Sequence, residues 1–400
     1  MRRLLFVDDE AQVLDGLRNL LHGHRKQWDL VFALGADAAL EAMRERPADI
    51  VVSDMRMPKM DGAALLTRIQ KDYPSTVRIV LSGHAEHAAA VRALGVAHQF
   101  LSKPCDLETL TSTIERACGV LDLIASECVR ELMGKIVALP VRPEIHSMIV
   151  NRLRDPNVTS EDVAQLIERD MAMVAKMLQL ANSGYFGLPR RITRLSDAVG
   201  FLGFRMIENL AFSLAVFDAG RRSRGVDVAA LQRHALHTGV IARALVSDHR
   251  EADDAFLAGM LHDLGIFVAA SHLPDHFERT IAVQHERLQP LHEVEFELWG
   301  VAHPAVGGYL LGLWNLPIQV VEAVVMHHTL DPLQPSGGLA GIVHVADVFA
   351  HELAGAPCPV EHDPAPSLNM DYLEAVGLAK RIDELRELAL TTLENRAEAA

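Results

Sequence analysis

Five short apolar segments, each followed by a stretch of helical periodicity, occupy the first third of this 400-residue chain. Each segment is rich in residues that favour strands and is shorter than a typical helix, so each is predicted to be a strand. Strands that alternate with helices indicate an α/β doubly wound parallel sheet, here with five strands. The predicted strands are 4–7, 30–33, 50–53, 78–81 and 97–101, and the predicted helices begin near residues 11, 36, 62, 88 and 107.

The polar residues that close these strands predict a phosphoryl-transfer site. They are Asp8, Asp9, Asp54, Ser82 and Lys103. Because the carboxyl ends of parallel strands meet along one crevice, we expect these side chains to lie together. Three converging carboxylates would repel one another unless a hard cation such as Mg²⁺ lay between them. Lys103 and the Ser82 hydroxyl could then bind phosphoryl oxygens, with Asp54 as the nucleophile.

Four motifs, FVDDE, SDMRMPKMDG, LSG and LSKP, give residues 1–118 a close resemblance to the receiver domains of two-component response regulators. The resemblance implies that a sensor histidine kinase or a phosphotransfer protein phosphorylates Asp54. It also implies that Asp9, Asp54 and the backbone carbonyl of Arg56 bind Mg²⁺, with Asp8 acting largely through water. The resemblance thus assigns the first domain a phosphoacceptor and a magnesium site.

Ser82 and Phe100 match the switch pair of the same family. There the hydroxyl moves to the phosphate and the aromatic ring turns inward behind it. The resemblance implies that the face formed by the last strand and its neighbouring helices then repositions an output domain. Phe100 has no phenolic hydroxyl to anchor its outward state.

A helical linker is predicted over residues 119–138. The helical pattern runs from residue 107 to about 133, with apolar residues near heptad spacing. This stripe fits two uses equally well. It could pair two protomers as a homodimer and pass the receiver's state onward as a change in helix register, or it could pack on its own domain.

The remainder of the chain, as far as residue 352, has helical periodicity and is predicted to be an all-α domain. It contains histidines and aspartates within its predicted helices. Candidate metal ligands there are His234, His262, Asp263, His303, His327, His328 and Asp347. Imidazoles mixed with carboxylates can bind Fe, Mn, Zn or Ni, and a metal-activated water could attack phosphorus. The alternative is that these histidines are hydrogen-bonded packing residues.

The arrangement of these residues over about 129–353 resembles the HDOD domain, a relative of the HD metal phosphohydrolases, so residues 139–353 are predicted to be an HDOD output domain. The positions that match the four-ligand HD set are His234, His262, Asp263 and Asp347. His303, His327 and His328 match the extra ligands of the HD-GYP cyclic di-GMP phosphodiesterases. HDOD domains themselves are generally regarded as signalling or scaffolding outputs.

Two hypotheses about the output domain follow. In the first, it binds a downstream protein or enzyme under receiver control. In the second, it is a phosphorylation-regulated, metal-dependent phosphohydrolase that acts on a cyclic dinucleotide. Ile266 stands where the HD-GYP family has a lysine, and no G-Y-P loop follows, so charge stabilisation of a phosphoryl transition state is weakened. The sequence therefore favours the first hypothesis.

Composition limits the partners and the location of the chain. With 53 acidic and 38 basic residues the formal net charge is −15, which disfavours binding to DNA. The four cysteines form no close pair, and no apolar run approaches the roughly 20 residues that span a bilayer. We expect a cytoplasmic protein that does not bind membranes, ending in a proline-containing connection and a C-terminal helix over residues 354–400.

Overall fold

A computed structural model describes residues 1–83, 96–123, 143–183, 186, 190–216, 226–333, 338–353, 360, 363–364 and 366–399. The predicted helix near residue 88 and most of the predicted linker, from residue 124 onward, lie outside these residues. Within them the chain forms a parallel α/β domain followed by an all-α domain, as the sequence predicts.

Five parallel strands in the order β2-β1-β3-β4-β5 form the sheet of the first domain. The strands are β1 (Arg2–Asp8), β2 (Trp28–Leu34), β3 (Ile50–Asp54), β4 (Val77–Gly83) and β5 (Gln99–Lys103). The helices are α1 (Ala11–Leu20), α2 (Gly35–Glu45), α3 (Gly62–Asp72) and α4 (Leu107–Leu123). The central strands are almost entirely buried because helices cover both faces of a parallel sheet.

The second domain is a helical bundle. Its helices are α5 (Pro143–Arg152), α6 (Ser160–Ile167), α7 (Met171–Ala181), α8 (Leu195–Leu202), α9 (Phe204–Val216), α10 (Val228–Leu245), α11 (His249–Leu261), α12 (Leu264–His272), α13 (Pro274–Arg287), α14 (Leu291–Trp299), α15 (His303–Leu313), α16 (Ile318–Met326) and α17 (Gly338–Leu353). Helix α10 packs against both α11 and α17. The ends of these helices carry the histidines described below.

The C-terminal segment forms two helices, α18 (Met370–Ala375) and α19 (Ile382–Ala399), rather than one. The break falls at Gly377, whose φ of +77° is a left-handed conformation that glycine adopts without strain. Leu373 and Leu385 are fully buried, and α19 packs on α10 and α17. Leu373 and Leu385 therefore pack within their own chain, whereas Leu388 on the same side is 40% exposed.

The run His249–His272 is long and apolar enough to span a membrane, contrary to the expectation from sequence. In the fold it is two helices, α11 and α12, with the turn at His262 and Asp263 between them. In its most apolar window, 94% is buried inside the protein. Helices at the centre of a bundle are apolar on all sides, which accounts for the composition of this run.

The two domains are in direct contact. Helix α4 packs against α15, and Gln179 on α7 donates hydrogen bonds to the carbonyl oxygens of Ala97 and His98, each at 3.2 Å. In the described part of α4, the apolar stripe at Leu110 and Ile114 is fully buried within the chain. Over this part of the helix the stripe packs on its own molecule.

Candidate phosphorylation and metal-binding sites

The ends of β1, β3 and β5 bring Asp8, Asp54 and Lys103 together, as the sequence predicts for a parallel sheet. The Lys103 ammonium group donates a hydrogen bond to Oδ2 of Asp8 at 2.7 Å and also contacts Oδ1 of Asp54. Asp8 is 1% exposed and Asp54 6% exposed, so both carboxylates lie in the crevice rather than on the surface. One cation therefore joins two nearly buried carboxylates.

The start of α3 packs directly against Asp54. A Cβ on Gly62 would lie 2.2 Å from the Asp54 carbonyl oxygen, so only glycine allows this approach. Asp61 caps the helix by accepting a hydrogen bond from the Ala64 N–H, and the N–H of Arg56 donates to Oδ2 of Asp54 at 2.8 Å. The conformation of this turn thus fixes the orientation of the Asp54 carboxylate.

Burial and Lys103 have opposite effects on Asp54. Burial raises the pKa of Asp54, whereas the hydrogen bond and the charge of Lys103 lower it; the net pKa is raised. Burial lowers the pKa of Lys103, but its bonds to Asp54 and Asp8 outweigh this and the net pKa is raised. The lysine therefore keeps its positive charge beside the carboxylates.

The remaining predicted receiver residues, Asp9, Ser82 and Phe100, differ in burial. Asp9 follows β1 and is exposed, while Ser82 in β4 and Phe100 in β5 are fully buried. Among the described residues, Asp8, Asp9 and Asp54 do not form a group whose carboxylate oxygens all lie within 4.8 Å of one another. The donor chemistry of these carboxylates and of the Arg56 carbonyl is all oxygen, which is the kind that Mg²⁺ prefers. The residues present at this site therefore fit a magnesium ion.

In the second domain, the candidate ligands converge from five helix ends and helix faces. Nε2 of His234 lies 2.9 Å from Oδ1 of Asp347, and Nε2 of His262 lies 3.1 Å from Oδ2 of Asp263. Nε2 of His303 lies 3.5 Å from Oδ1 of Asp263. Nε2 of His262 also lies 3.6 Å from Oδ1 of Asp347, and Nε2 of His327 lies 3.9 Å from Oδ1 of Asp263. The carboxylate of Asp263 is at the centre of this cluster.

Three imidazoles of the cluster are held in the orientation that a metal ligand needs. Their Nδ1 atoms lie 2.7 Å from oxygen acceptors, which are the Gly259 carbonyl for His262, Glu295 for His303 and the Val324 carbonyl for His327. A donor N–H on Nδ1 leaves the lone pair on Nε2. All three Nε2 atoms are buried and make no hydrogen bond of good geometry among the described residues, although that of His262 lies 3.1 Å from Oδ2 of Asp263.

Buried polar atoms without partners are rare in native proteins. A bound cation is one kind of partner that such atoms can have. Together with Asp263, His303, His327 and His328 form a group whose ligand atoms all lie within 4.8 Å of one another. Two further groups of this kind are His234, Asp347 and His351, and His234, His262 and Asp263. The donor set of nitrogen and carboxylate oxygen fits a transition metal such as Fe, Mn, Zn or Ni.

The imidazoles of the cluster differ in the direction in which their pKa is shifted. Burial raises the pKa of Asp347, but hydrogen bonds from His234 and His262 outweigh it and hold this pKa well below its usual range. Burial lowers the pKa of His327 to about 3 and also lowers that of His328 well below 6.5. Burial also lowers the pKa of His262 and of His303, but Asp263 beside the first and Glu295 beside the second outweigh it, and both pKa values are raised. A metal binds the neutral imidazole, so metal binding at His262 and His303 would release protons.

Close approaches between helices create this cluster. A Cβ on Gly265 would lie 2.0 Å from the His303 carbonyl oxygen, so the HDLG turn brings α12 onto α15. A Cβ on Gly259 would lie 2.9 Å from the backbone of Gly239, so α10 and α11 also cross at glycines. These two crossings position His234, His262 and His303 around Asp263.

Residues that the sequence analysis missed complete the site. His351 lies one helical turn after Asp347, with Nε2 3.6 Å from its Oδ1. Glu295 is fully buried against His303, and Asp363 has a pKa raised to about 6, chiefly by burial. The spacing of four residues between Asp347 and His351 could have been noticed, whereas Glu295 and Asp363 look like ordinary surface acids in the sequence.

Ile266 occupies the position where a lysine would stand, and it is buried with 4% exposure. It lies in α12, where most side chains belong to the hydrophobic core. The structure therefore places an apolar side chain, and no cation, at this position.

Two family models match the chain. The response regulator receiver domain matches residues 4–115, and the HDOD domain matches residues 139–330. These matches agree with the sheet domain and with the helical domain that follows it.

Individual relatives match parts of the chain. An uncharacterized protein of Treponema pallidum is 32% identical over 232 residues, which are 57% of this chain and 42% of that protein. The DNA-binding transcriptional regulator NtrC of Escherichia coli is 36% identical over 112 residues, which are 28% of this chain and 24% of NtrC. The chain thus spans less than half the length of these relatives. A solved structure, that of the MmoQ response regulator of Methylococcus capsulatus, is also similar to this chain. The match has 25% sequence identity and a TM-score of 0.48, and it covers 63% of this chain and 98% of that one.

Proposed function

Because this chain belongs to the two-component response regulators with a receiver domain and an HDOD domain, we propose that phosphorylation of Asp54 controls how the HDOD domain binds a downstream protein. The phosphoryl donor is a histidine kinase or a phosphotransfer protein. Residues 1–118 form the receiver, residues 119–138 the linker, residues 139–353 the output domain, and residues 354–400 a C-terminal connection and helices.

The contact of Lys103 with both Asp8 and Asp54 carries this proposal. An aspartate at the end of a central strand, held beside a cation and facing a crevice, can attack a phosphoryl group. Bound Mg²⁺ would neutralise phosphoryl oxygens at this site. Asp9, Asp54 and the Arg56 carbonyl would hold the ion, while Lys103 and the Ser82 hydroxyl would bind the remaining oxygens.

The contacts between the domains give a route for the signal. Gln179 of the output domain bonds to the backbone just before β5, and Phe100 of the switch pair lies in that strand. A shift of Phe100 when Asp54 is phosphorylated would move the carbonyls of Ala97 and His98. Such a shift would strain or break the bonds to α7 and so change the output domain.

The experiment compares wild type, Asp54→Asn and Asp29→Asn, the last removing a half-buried carboxylate outside the site that pairs with the exposed Arg46. Labelled acetyl phosphate should modify wild type and Asp29→Asn but not Asp54→Asn. With beryllofluoride and Mg²⁺, hydrogen exchange in α7 should change in the same two proteins only. Labelling of Asp54→Asn at the wild-type level would show that the phosphoacceptor is another residue.

A second candidate function, a metal-dependent phosphohydrolase acting on a cyclic dinucleotide, is favoured by the three unpartnered Nε2 atoms around Asp263. The residues that would hold metal are His234, His262, Asp263, Asp347, His303, His327 and His328. A bound metal would supply an activated water and polarise the phosphate. The buried Ile266 supplies no charge to a substrate phosphate, and for this reason partner binding remains the leading proposal.

The test measures metal content in protein purified without a histidine tag or chelator. The double variant His262→Ala/Asp263→Ala removes two central residues, and His249→Ala removes an exposed histidine as a control. We expect stoichiometric metal in wild type and in the control but not in the double variant. Turnover of cyclic di-GMP with Mn²⁺ or Fe²⁺ in the first two proteins would establish an enzyme. Absence of both metal and turnover would refute this second candidate.

The cellular setting that we propose follows from the same assignments. The protein acts in the cytoplasm with a kinase and a downstream protein, and neither DNA nor a membrane is its target. Association into a homodimer, suggested by the part of the heptad-like sequence pattern that follows residue 123, is part of the proposal and can be measured by light scattering with and without beryllofluoride.

A further inference from the structure

A cavity of about 1250 Å³ lies between the receiver and the output domain. Arg116 of α4 lines it from the receiver side. Its floor is mostly apolar and comes from α15 and α16, through Ala305, Gly308, Gly312, Ile318, Val321 and Val325. No ligand of the histidine cluster lines it among the described residues, so the cavity is separate from that site.

Arginines dominate the polar part of the wall. They are Arg116, Arg190, Arg191, Arg194 and Arg250. Of the aspartates that also line the cavity, Asp253 lies 3.4 Å from Arg243, and Asp254 accepts a hydrogen bond from Gln319 at 3.0 Å. Asp253 also interacts electrostatically with Arg194 and with Asp197, a third acid of the wall. In the described part of the chain none of these acids forms an ion pair with Arg116 or Arg191.

Arg116 and Arg191 approach each other from the two domains. Arg191 donates to the carbonyl oxygens of Asn315 at 2.7 Å and Asn182 at 3.3 Å, and neither arginine pairs with a carboxylate in the described part of the chain. Partial burial and the charge of Arg116 lower the pKa of Arg191 to about 10. Two guanidinium groups that face one cavity repel each other unless an anion lies between them.

We propose that this cavity binds a nucleotide, with its phosphates between Arg116 and Arg191 and its base and ribose on the apolar floor. Guanidinium groups bind phosphate through paired hydrogen bonds, which suits arginine better than any other residue. Small-molecule sites usually enclose about 300 to 1,000 Å³, so this cavity has room for a ligand of that size. A lone inorganic anion would leave the floor uncovered.

The test titrates the full-length protein with fluorescent methylanthraniloyl derivatives of ATP and GTP. Arg116→Ala and Arg191→Ala remove the two guanidinium groups. Arg46→Ala removes an exposed arginine of the receiver that pairs with Asp29, 3.2 Å away, and serves as the matched control. Hydrogen bonds to charged groups contribute enough that each cavity variant should weaken binding by roughly tenfold or more. Wild type and the control should bind equally.

Three outcomes would overturn the proposal. The first is that wild type shows no saturable binding of either nucleotide. The second is that Arg116→Ala and Arg191→Ala bind as tightly as wild type. The third is that binding is lost in His262→Ala/Asp263→Ala and kept in both arginine variants, which would place the nucleotide at the histidine cluster. Circular dichroism of each variant checks that the fold is retained.

Discussion

Glu295 of α14 is fully buried, and its Oε2 atom accepts hydrogen bonds from both the backbone N–H and Nδ1 of His303, each at 2.7 Å. A carboxylate in this position fixes the ring orientation and makes Nε2 a stronger electron donor. The proposed ligand His303 therefore depends on Glu295, which is not itself a proposed ligand.

Replacement of Glu295 by glutamine should weaken metal binding while leaving the fold intact. The amide oxygen can still accept a hydrogen bond, but the negative charge that polarises His303 is lost. Changes of this kind typically reduce metal affinity about ten- to hundredfold. Competition with a chelator, followed by metal analysis, measures the effect. Glu297→Gln, which alters an exposed acid paired with Arg287, is the control, and equal affinity in both variants would contradict this role for Glu295.

At the scale of helices and strands, glycines decide how closely the elements pack. Gly62 lets α3 begin against Asp54, and Gly265 lets α12 meet the backbone of His303. In both places a short sequence motif supplies the functional residue and also the glycine that positions it. The motif therefore encodes a backbone contact as well as a side chain.

Gly265→Ala should destabilise the output domain. The added Cβ would lie 2.0 Å from a backbone oxygen, so α12 and α15 must separate. Overpacking of this kind costs about 1–3 kcal/mol or more in free energy of unfolding. Gly200→Ala in α8 is the matched control, since its Cβ would meet only the Ser160 hydroxyl oxygen at 3.4 Å. It should be neutral or stabilising by up to roughly 1 kcal/mol. Thermal unfolding distinguishes the two, and equal melting temperatures would contradict the packing argument.

At the scale of the whole molecule, basic side chains lie buried where the two domains meet. Lys176 of α7 is 3% exposed, and its ammonium group lies 4.8 Å from the centre of the Trp314 ring. Burial and the charge of Arg78, in β4 of the receiver, lower the pKa of Lys176 from 10.5 to about 7. The ring favours the charged lysine and so opposes this shift without reversing it.

This lowered pKa predicts how stability changes with pH. Between pH 7 and 10.5 the unfolded chain binds a proton at Lys176 that the folded chain lacks, so the free energy of unfolding rises with pH. Below pH 7 both states bind the proton, and the contribution is constant. Relative to Lys176→Met, wild type should gain stability from pH 7 to 8.5, with a slope of at most about 1.4 kcal/mol per pH unit. Urea unfolding of both proteins at each pH measures this difference in unfolding free energy.

The exposed Lys71 provides the comparison for this experiment. The difference in unfolding free energy between wild type and Lys71→Met should be independent of pH over the same range. A difference for Lys176→Met that is equally flat would show that Lys176 has an ordinary pKa in the folded protein.

The sequence alone determined the two folds and proposed most residues of the two candidate sites. Strand and helix periods are local properties, and a parallel sheet necessarily places the ends of its strands at one edge. For this reason the strand pattern by itself was enough to group Asp8, Asp54 and Lys103. The histidine and aspartate candidates were chosen by motif, and the fold then brought them around Asp263.

Only the tertiary structure decided which atoms face each other. Glu295 and Asp363 have the sequence surroundings of exposed acids. Only the packed structure shows that Glu295 is buried against His303 and that Asp363 accepts a hydrogen bond from the Leu291 N–H. The burial of His249–His272 likewise depends on neighbours far away in the chain. Arg116 and Arg191 lie in different domains, so no local pattern could join them. A sequence pattern reports the surroundings within one element, whereas a site between elements is set by packing over the whole chain.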